Sequence, residues 1–210
     1  MSIYTPSPGT IGGDTSGAFS VPAGVQQIAA NGYKFVVRYV ACPGGMFVDV
    51  LTPPEASALL AAGVAIGLIQ AIQKAANISP ENGTRDGASA AAQAKALGYP
   101  AGAVLWCDLE GIFHDAPALI SYLNNWGKAV QAAGYPAGLY NGPQNLLTAA
   151  QIQALIFPHY WQPAANAPAP SRGYQLVQMA PPNVAAGGTA IDVDVVTRDH
   201  RGDLPTFWGP

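Results

Sequence analysis

The chain has 210 residues, half of them hydrophobic, with a net charge of −3 and only nine Lys and Arg. That length and apolar content suit one domain with a large core, over residues 1–210. The scattered cations exclude the electrostatic footprint of a nucleic-acid binder, and no apolar run approaches the roughly 18 residues of a membrane-spanning helix.

Helix-like and strand-like stretches alternate along the chain. Thr10 to Asp14 reads as a first strand, closed by Thr15-Ser16-Gly17. A helix from about Pro22 to Ala30 stops at Asn31-Gly32. The β-branched run Lys34 to Val40 is typical of a buried strand. Thr52 caps a helix opening Pro53-Pro54-Glu55, with Glu55 at the capping-box position and Gly63 as the stop. Val64 to Ile69 follows as a strand, then a loop rich in Asn, Pro and Gly.

A helix over Asp86 to Leu97 precedes the fourth strand, Ala103 to Glu110. Ala116 to Ala133 is helical, Ala137 to Tyr140 is a short strand, and Leu147 to Ile156 is helical again. His159 to Trp161, Tyr174 to Met179 and Ala190 to Val195 complete the set of strands, and the tail after Thr197 reads as a surface segment. Repeated strand-then-helix units imply a parallel sheet with right-handed crossovers. Eight such strands in this length predict an α/β fold, a single TIM-like (β/α) barrel with irregular last units; an open doubly wound sheet is the runner-up.

The fourth strand carries the most informative pattern. Its apolar run ends in Asp108 and Glu110, one residue apart, and then Gly111. Alternation puts positions i and i+2 on one face, about 6.6 Å apart. Repulsion and partial burial are expected to keep one carboxyl protonated and the other ionised. Such a pair can donate a proton and stabilise a cation, the chemistry of glycoside cleavage; the spacing leaves retention or inversion open.

In a β/α barrel the C-terminal strand ends meet at one mouth. Asp14 closes the first strand, and Asp192 and Asp194 share a face of the last, so acids from three strands are expected to converge there. Tyr39, Tyr140 and Trp161 are candidates to stack on sugar rings, the last two at the rim, while Trp106 reads as core. Gln70 and Gln178, also at strand ends, are candidates to donate hydrogen bonds to sugar hydroxyls.

No Gly-x-Ser-x-Gly elbow, phosphate loop or His-Glu-x-x-His is present. Cys42 and Cys107 form no zinc spacing, and Cys107 is expected to face the helix layer as a buried thiol. Nothing calls for a metal or an organic cofactor. The N-terminal residues lack the basic and apolar regions of a secretory signal. The expectation is therefore action in the cytosol, or delivery to the cell wall by another route.

Several segments together resemble the bacterial glycoside-hydrolase-like family of unknown function number 1906, a relative of the family 25 lysozymes. They are Gly13-Asp14-Thr15-Ser16, Gly32 to Tyr39, Leu51 to Ala56, Ala62-Gly63-Val64, Gly138 to Gly142, Tyr174 to Gln178 and Ile191 to Val196. The resemblance implies a barrel of the lysozyme type acting on peptidoglycan or a related polysaccharide, and the chain is expected to be a monomer. It puts the general acid at Glu110, with Asp108 as partner and Asp14 and Asp192 as flanking acids. The chain departs from the lysozyme pattern after the first motif, where Gly17-Ala18-Phe19-Ser20 replaces a Tyr-Gln-Gly segment. It keeps the glutamate of Asp-x-Glu, which favours activity. The alternatives are a catalytically silent glycan-binding module on the same barrel and a structural virion or cell-surface domain.

Overall fold

A computed structural model describes residues 2–180 and 184–210. In chain order the elements are β1 (Ser2–Tyr4), β2 (Ile11–Thr15), α1 (Ala23–Ala30), β3 (Phe35–Val40), α2 (Pro53–Ala61), β4 (Ala65–Gln70) and α3 (Pro80–Leu97). They continue with β5 (Leu105–Leu109), α4 (Ala116–Ala132), β6 (Ala137–Asn141), α5 (Ala149–Gln153), β7 (His159–Gln162), β8 (Leu176–Gln178), β9 (Val184–Ala186), β10 (Thr189–Val196) and β11 (Phe207–Gly209).

Eight of the strands close into a barrel. β2 through β8 run parallel in chain order, and β10 fills the gap between β8 and β2, antiparallel to both. This corrects the expectation of an all-parallel sheet. Among the described residues no helix separates β8 from β10; the short β9 pairs with β10 instead, and a strand that returns without a crossover runs the other way.

Alternation along each strand sorts side chains into two apolar layers. Phe35, Val37, Ile69, Val104, Trp106, Trp161 and Leu176 fill the barrel. Val36, Ile66, Leu68, Leu105, Cys107 and Leu139 face the helices. Cys107 and Cys42 are both buried and free, as expected of inert thiols.

Three local readings are revised. First, α3 begins at Pro80 rather than Asp86: the Ser79 side chain accepts from the Asn82 amide and proline occupies the first turn, a favourable start. Second, Thr52 does cap α2, but the Glu55 carboxylate forms a buried ion pair with Arg38 at 2.7 Å. Third, the tail is only in part a surface segment: Arg198, His200, Arg201 and Asp203 are exposed as expected, but Asp199 is buried and the chain then turns back into the core. β11 pairs with both β1 and β4, and Phe207 stacks on Phe35 at 4.6 Å inside the barrel's lower end.

Candidate active site

The mouth of the barrel is where the acids gather. On β2 the inward positions are Gly12 and Asp14, and on β5 they are Trp106 and Asp108, with Glu110 one step past the strand end. β10 enters from the mouth because it is antiparallel, so Asp192 pairs with Asp14 near the top and Asp194 with Gly12 one level deeper. Alternation and register thus place five carboxyl groups at one end of the barrel.

Two connected hollows open there. The inner one, about 60 Å³, is walled by Asp14, Glu110 and Asp192, with Tyr39, Tyr140, Trp161, Ile69 and Gln178 completing it. The outer one, about 400 Å³, shares Asp14, Tyr39 and Asp192 and extends over the loop after β3. Asp108 and Asp194 line neither and lie beneath.

Hydrogen bonds fix this arrangement. Gln178 Nε2 donates to Asp14 Oδ2 and to Asp192 Oδ2, each at 3.1 Å. Its Oε1 accepts from the Tyr140 hydroxyl at 3.2 Å and the Ala164 amide at 3.1 Å. The Tyr39 hydroxyl donates to Asp108 Oδ2 at 3.1 Å, and Trp161 Nε1 donates to Asp194 Oδ1 at 2.9 Å.

The electrostatics follow from crowding acids in a dry space. Burial first, and then the Asp192 charge, push Asp14 up to about 7, against the hydrogen bond from Gln178. Burial and the Glu110 charge hold Asp108 well above the usual carboxylate range, opposed by Tyr39. Glu110 is about half enclosed and raised by burial and then by Asp192. Asp194 is raised by burial and by Asp14. Both members of the Asp108 and Glu110 pair are pushed up, Asp108 the further, and burial ahead of mutual repulsion leads in each.

The structure brings together Glu110, Asp14, Asp192, Tyr39, Tyr140, Trp161 and Gln178 around the inner hollow, with Asp108 and Asp194 behind them. Gln70 is excluded. Ile69 takes the inward position, so Gln70 faces the helices, where its amide donates to Ala41 O and Asp86 O and accepts from Trp126 Nε1 at 2.6 Å. Tyr140 and Trp161 form a buried floor rather than a rim; Trp161 is only 1% exposed. Trp106 is core, as expected. Gln178 lines the inner hollow, and its amide donor is turned to the carboxylates of Asp14 and Asp192. Sequence reasoning passed over the outer wall: Ser16, Phe47, Asp49 and Thr189. The only signal there is a Phe in a glycine-rich loop, and such a residue reads as easily as a packed anchor.

The match to known families bears on this geometry directly. Residues 26–197 match the family described as Rv2525c-like, glycoside hydrolase-like domain. The chain belongs to that family. No curated protein matches the sequence. Solved structures show the same fold at low identity. The Tat-secreted protein Rv2525c of Mycobacterium tuberculosis, bound to L-tartrate, aligns with TM-score 0.67 and 19% identity over 90% of this chain and 96% of the other. The modular autolysin LytC of Streptococcus pneumoniae aligns with TM-score 0.64 and 14% identity over 90% and 46%. The catalytic domain of endolysin ply40, from bacteriophage P40 of Listeria monocytogenes, aligns with TM-score 0.60 and 16% identity over 90% and 93%. Among the described residues no helix is long and apolar enough to cross a membrane.

Proposed function

We propose that this family member is a lysozyme-like glycoside hydrolase that cleaves peptidoglycan glycan strands in the N-acetylmuramidase manner. One observation carries the reading: Glu110, at the mouth and raised by burial, faces Asp14 and Asp192 across a single narrow hollow. A carboxyl whose proton affinity is raised is suited to act as a general acid, and carboxylates across from it can stabilise an oxocarbenium ion. Glu110 protonates the leaving oxygen. Asp192 faces the anomeric carbon, with Asp14 and the Gln178 amide holding it in place. Asp108 acts from below, orienting Tyr39 through their hydrogen bond.

The inner hollow has room for roughly two waters, so it accepts a ring substituent such as an acetamido group. The ring itself lies across the junction with the outer hollow. LytC has been captured with a synthetic peptidoglycan ligand, which supports the same substrate class here. The Tat secretion of Rv2525c supports action outside the cytoplasm.

The test is turnover of purified cell walls with mass spectrometry of the released muropeptides. Glu110→Gln is expected to lose at least about a hundredfold in rate, the scale for removing a general acid. Equal, poor release by both proteins while both bind the walls would instead favour a silent binding module.

A further inference from the structure

We infer that the outer hollow is a second sugar subsite, in which the exposed ring of Phe47 carries an uncharged pyranose next to the one at Glu110. The inference rests on the carbohydrate reading of the site, but not on catalysis.

Size and continuity come first. At about 400 Å³ the hollow falls within the range of small-molecule pockets, and it shares Asp14, Tyr39 and Asp192 with the inner one. A glycan seated at Glu110 therefore runs into it without a break.

The state of Phe47 is the second observation. Its side chain lines the hollow yet is 92% exposed, an unusual setting for a large apolar ring. The loop around it is nevertheless tied down. Met46 N donates to Ile72 O at 2.8 Å, and Asp49 N donates to Ser16 O at 3.0 Å. Asp49 O accepts from Arg38 Nη2 at 3.0 Å. Arg38 is fully buried, paired with Glu55, and also donates Nη1 to Thr15 O at 2.7 Å. One buried guanidinium thus fixes both the loop bearing Phe47 and the end of the strand bearing Asp14. A solvent-facing ring on a loop whose backbone is anchored on both sides of it, beside the acids, is a platform for a flat, partly apolar partner, and the face of a pyranose is one.

Charge narrows the occupant. Asp14, Asp49 and Asp192 line this hollow, and among the described residues no Lys or Arg does. A sugar bearing a carboxylate or phosphate meets unfavourable potential there. An uncharged ring, such as N-acetylglucosamine, does not.

The probe is chitotetraose, titrated calorimetrically into the Glu110→Gln protein so that it is not consumed, with wall hydrolysis by otherwise wild-type protein measured in parallel. Phe47→Ala is expected to weaken binding about tenfold, the order set by losing one aromatic stacking partner, and Phe47→Trp to restore it. The same oligomer oxidised to carboxylates at C6 is expected to bind at least about tenfold more weakly than chitotetraose. Phe47 is exposed, so thermal melts of its variants should match their parent.

Unchanged binding in Phe47→Ala overturns the subsite, even if Glu110→Gln abolishes turnover and the hydrolase reading stands. A tenfold loss in Phe47→Ala supports the subsite, even if Glu110→Gln has no effect on walls and the hydrolase reading falls. Equal or tighter binding of the oxidised oligomer overturns the assignment of an uncharged occupant. No binding of chitotetraose at all overturns the subsite together with the carbohydrate reading.

Discussion

Glu110 shows how much of a residue's chemistry depends on its neighbours. Its spacing from Asp108 is a local matter, but its protonation is raised by burial and by Asp192, a residue from the far end of the chain. A general acid must be protonated to act. Activity should therefore persist below the raised Glu110 pKa and decline as pH rises through it. Asp192→Asn removes one of the two causes, so the Glu110 carboxyl should titrate at lower pH in that variant. Carbon-detected NMR titration of labelled glutamate reads this even where turnover is weak; an unmoved titration would show that Asp192 does not act on Glu110. Asp14 and Asp192 were visible in the sequence as acids at strand positions. The amide that bridges them was visible only as a glutamine near a strand end.

At the scale of elements, α3 and α4 illustrate why a helix can hide in a loop-like sequence. Gly83 falls in a stretch that reads as a loop, because glycine weakens an isolated helix, while Gly87 falls just inside the expected helix. In the fold they lie where α3 meets α4. A Cβ at Gly83 would sit 2.2 Å from Tyr122 O, and one at Gly87 would sit 2.5 Å from Trp126 O. These glycines are present because the two helices approach backbone to backbone. Gly87→Ala, favourable by helix propensity alone, is expected to destabilise the protein by about 1–3 kcal/mol through overpacking. Denaturant midpoints decide it; a stabilised variant would mean that the helices are not held at this separation. The Arg38–Glu55 pair escaped sequence reasoning for a related reason. Glu55 satisfied a local rule at the start of α2, and nothing local indicates that its carboxylate has a buried partner on β3.

At the scale of the whole molecule, the acid cluster opposes stability. Asp14, Asp108, Glu110 and Asp194 all have folded-state pKa values above their unfolded ones. Between those values the folded chain holds protons that the unfolded chain has released. Their contribution to stability is therefore complete below about pH 4 and is lost as pH rises through the folded values, about 7 for Asp14. Asp194→Asn keeps an oxygen for Trp161 Nε1 and removes an ionisable group from the interior. It is expected to melt at a higher temperature than wild type at pH 8, with the gain vanishing at pH 4. Thermal scans at the two pH values test this; equal gains at both would point to packing rather than charge. Such a cost is common where a site is tuned for function rather than stability.

Strand and helix order, the eight-strand count and the two-residue period that aligns Asp108 with Glu110 were all legible in the sequence, because they follow from local periodicity. Family membership was legible too, through short motifs kept in order along the chain. What only the tertiary structure decided is which way things face and what closes on what. Ile69 rather than Gln70 turns inward, although an unbroken apolar strand carries no mark of its inner face. β10 returns antiparallel and meets β2 with Asp192 opposite Asp14, and β11 folds back to seal the lower end with Phe207. These outcomes depend on pairing between residues far apart in sequence, where each contact is chosen by the closure of the whole barrel rather than by the residues beside it.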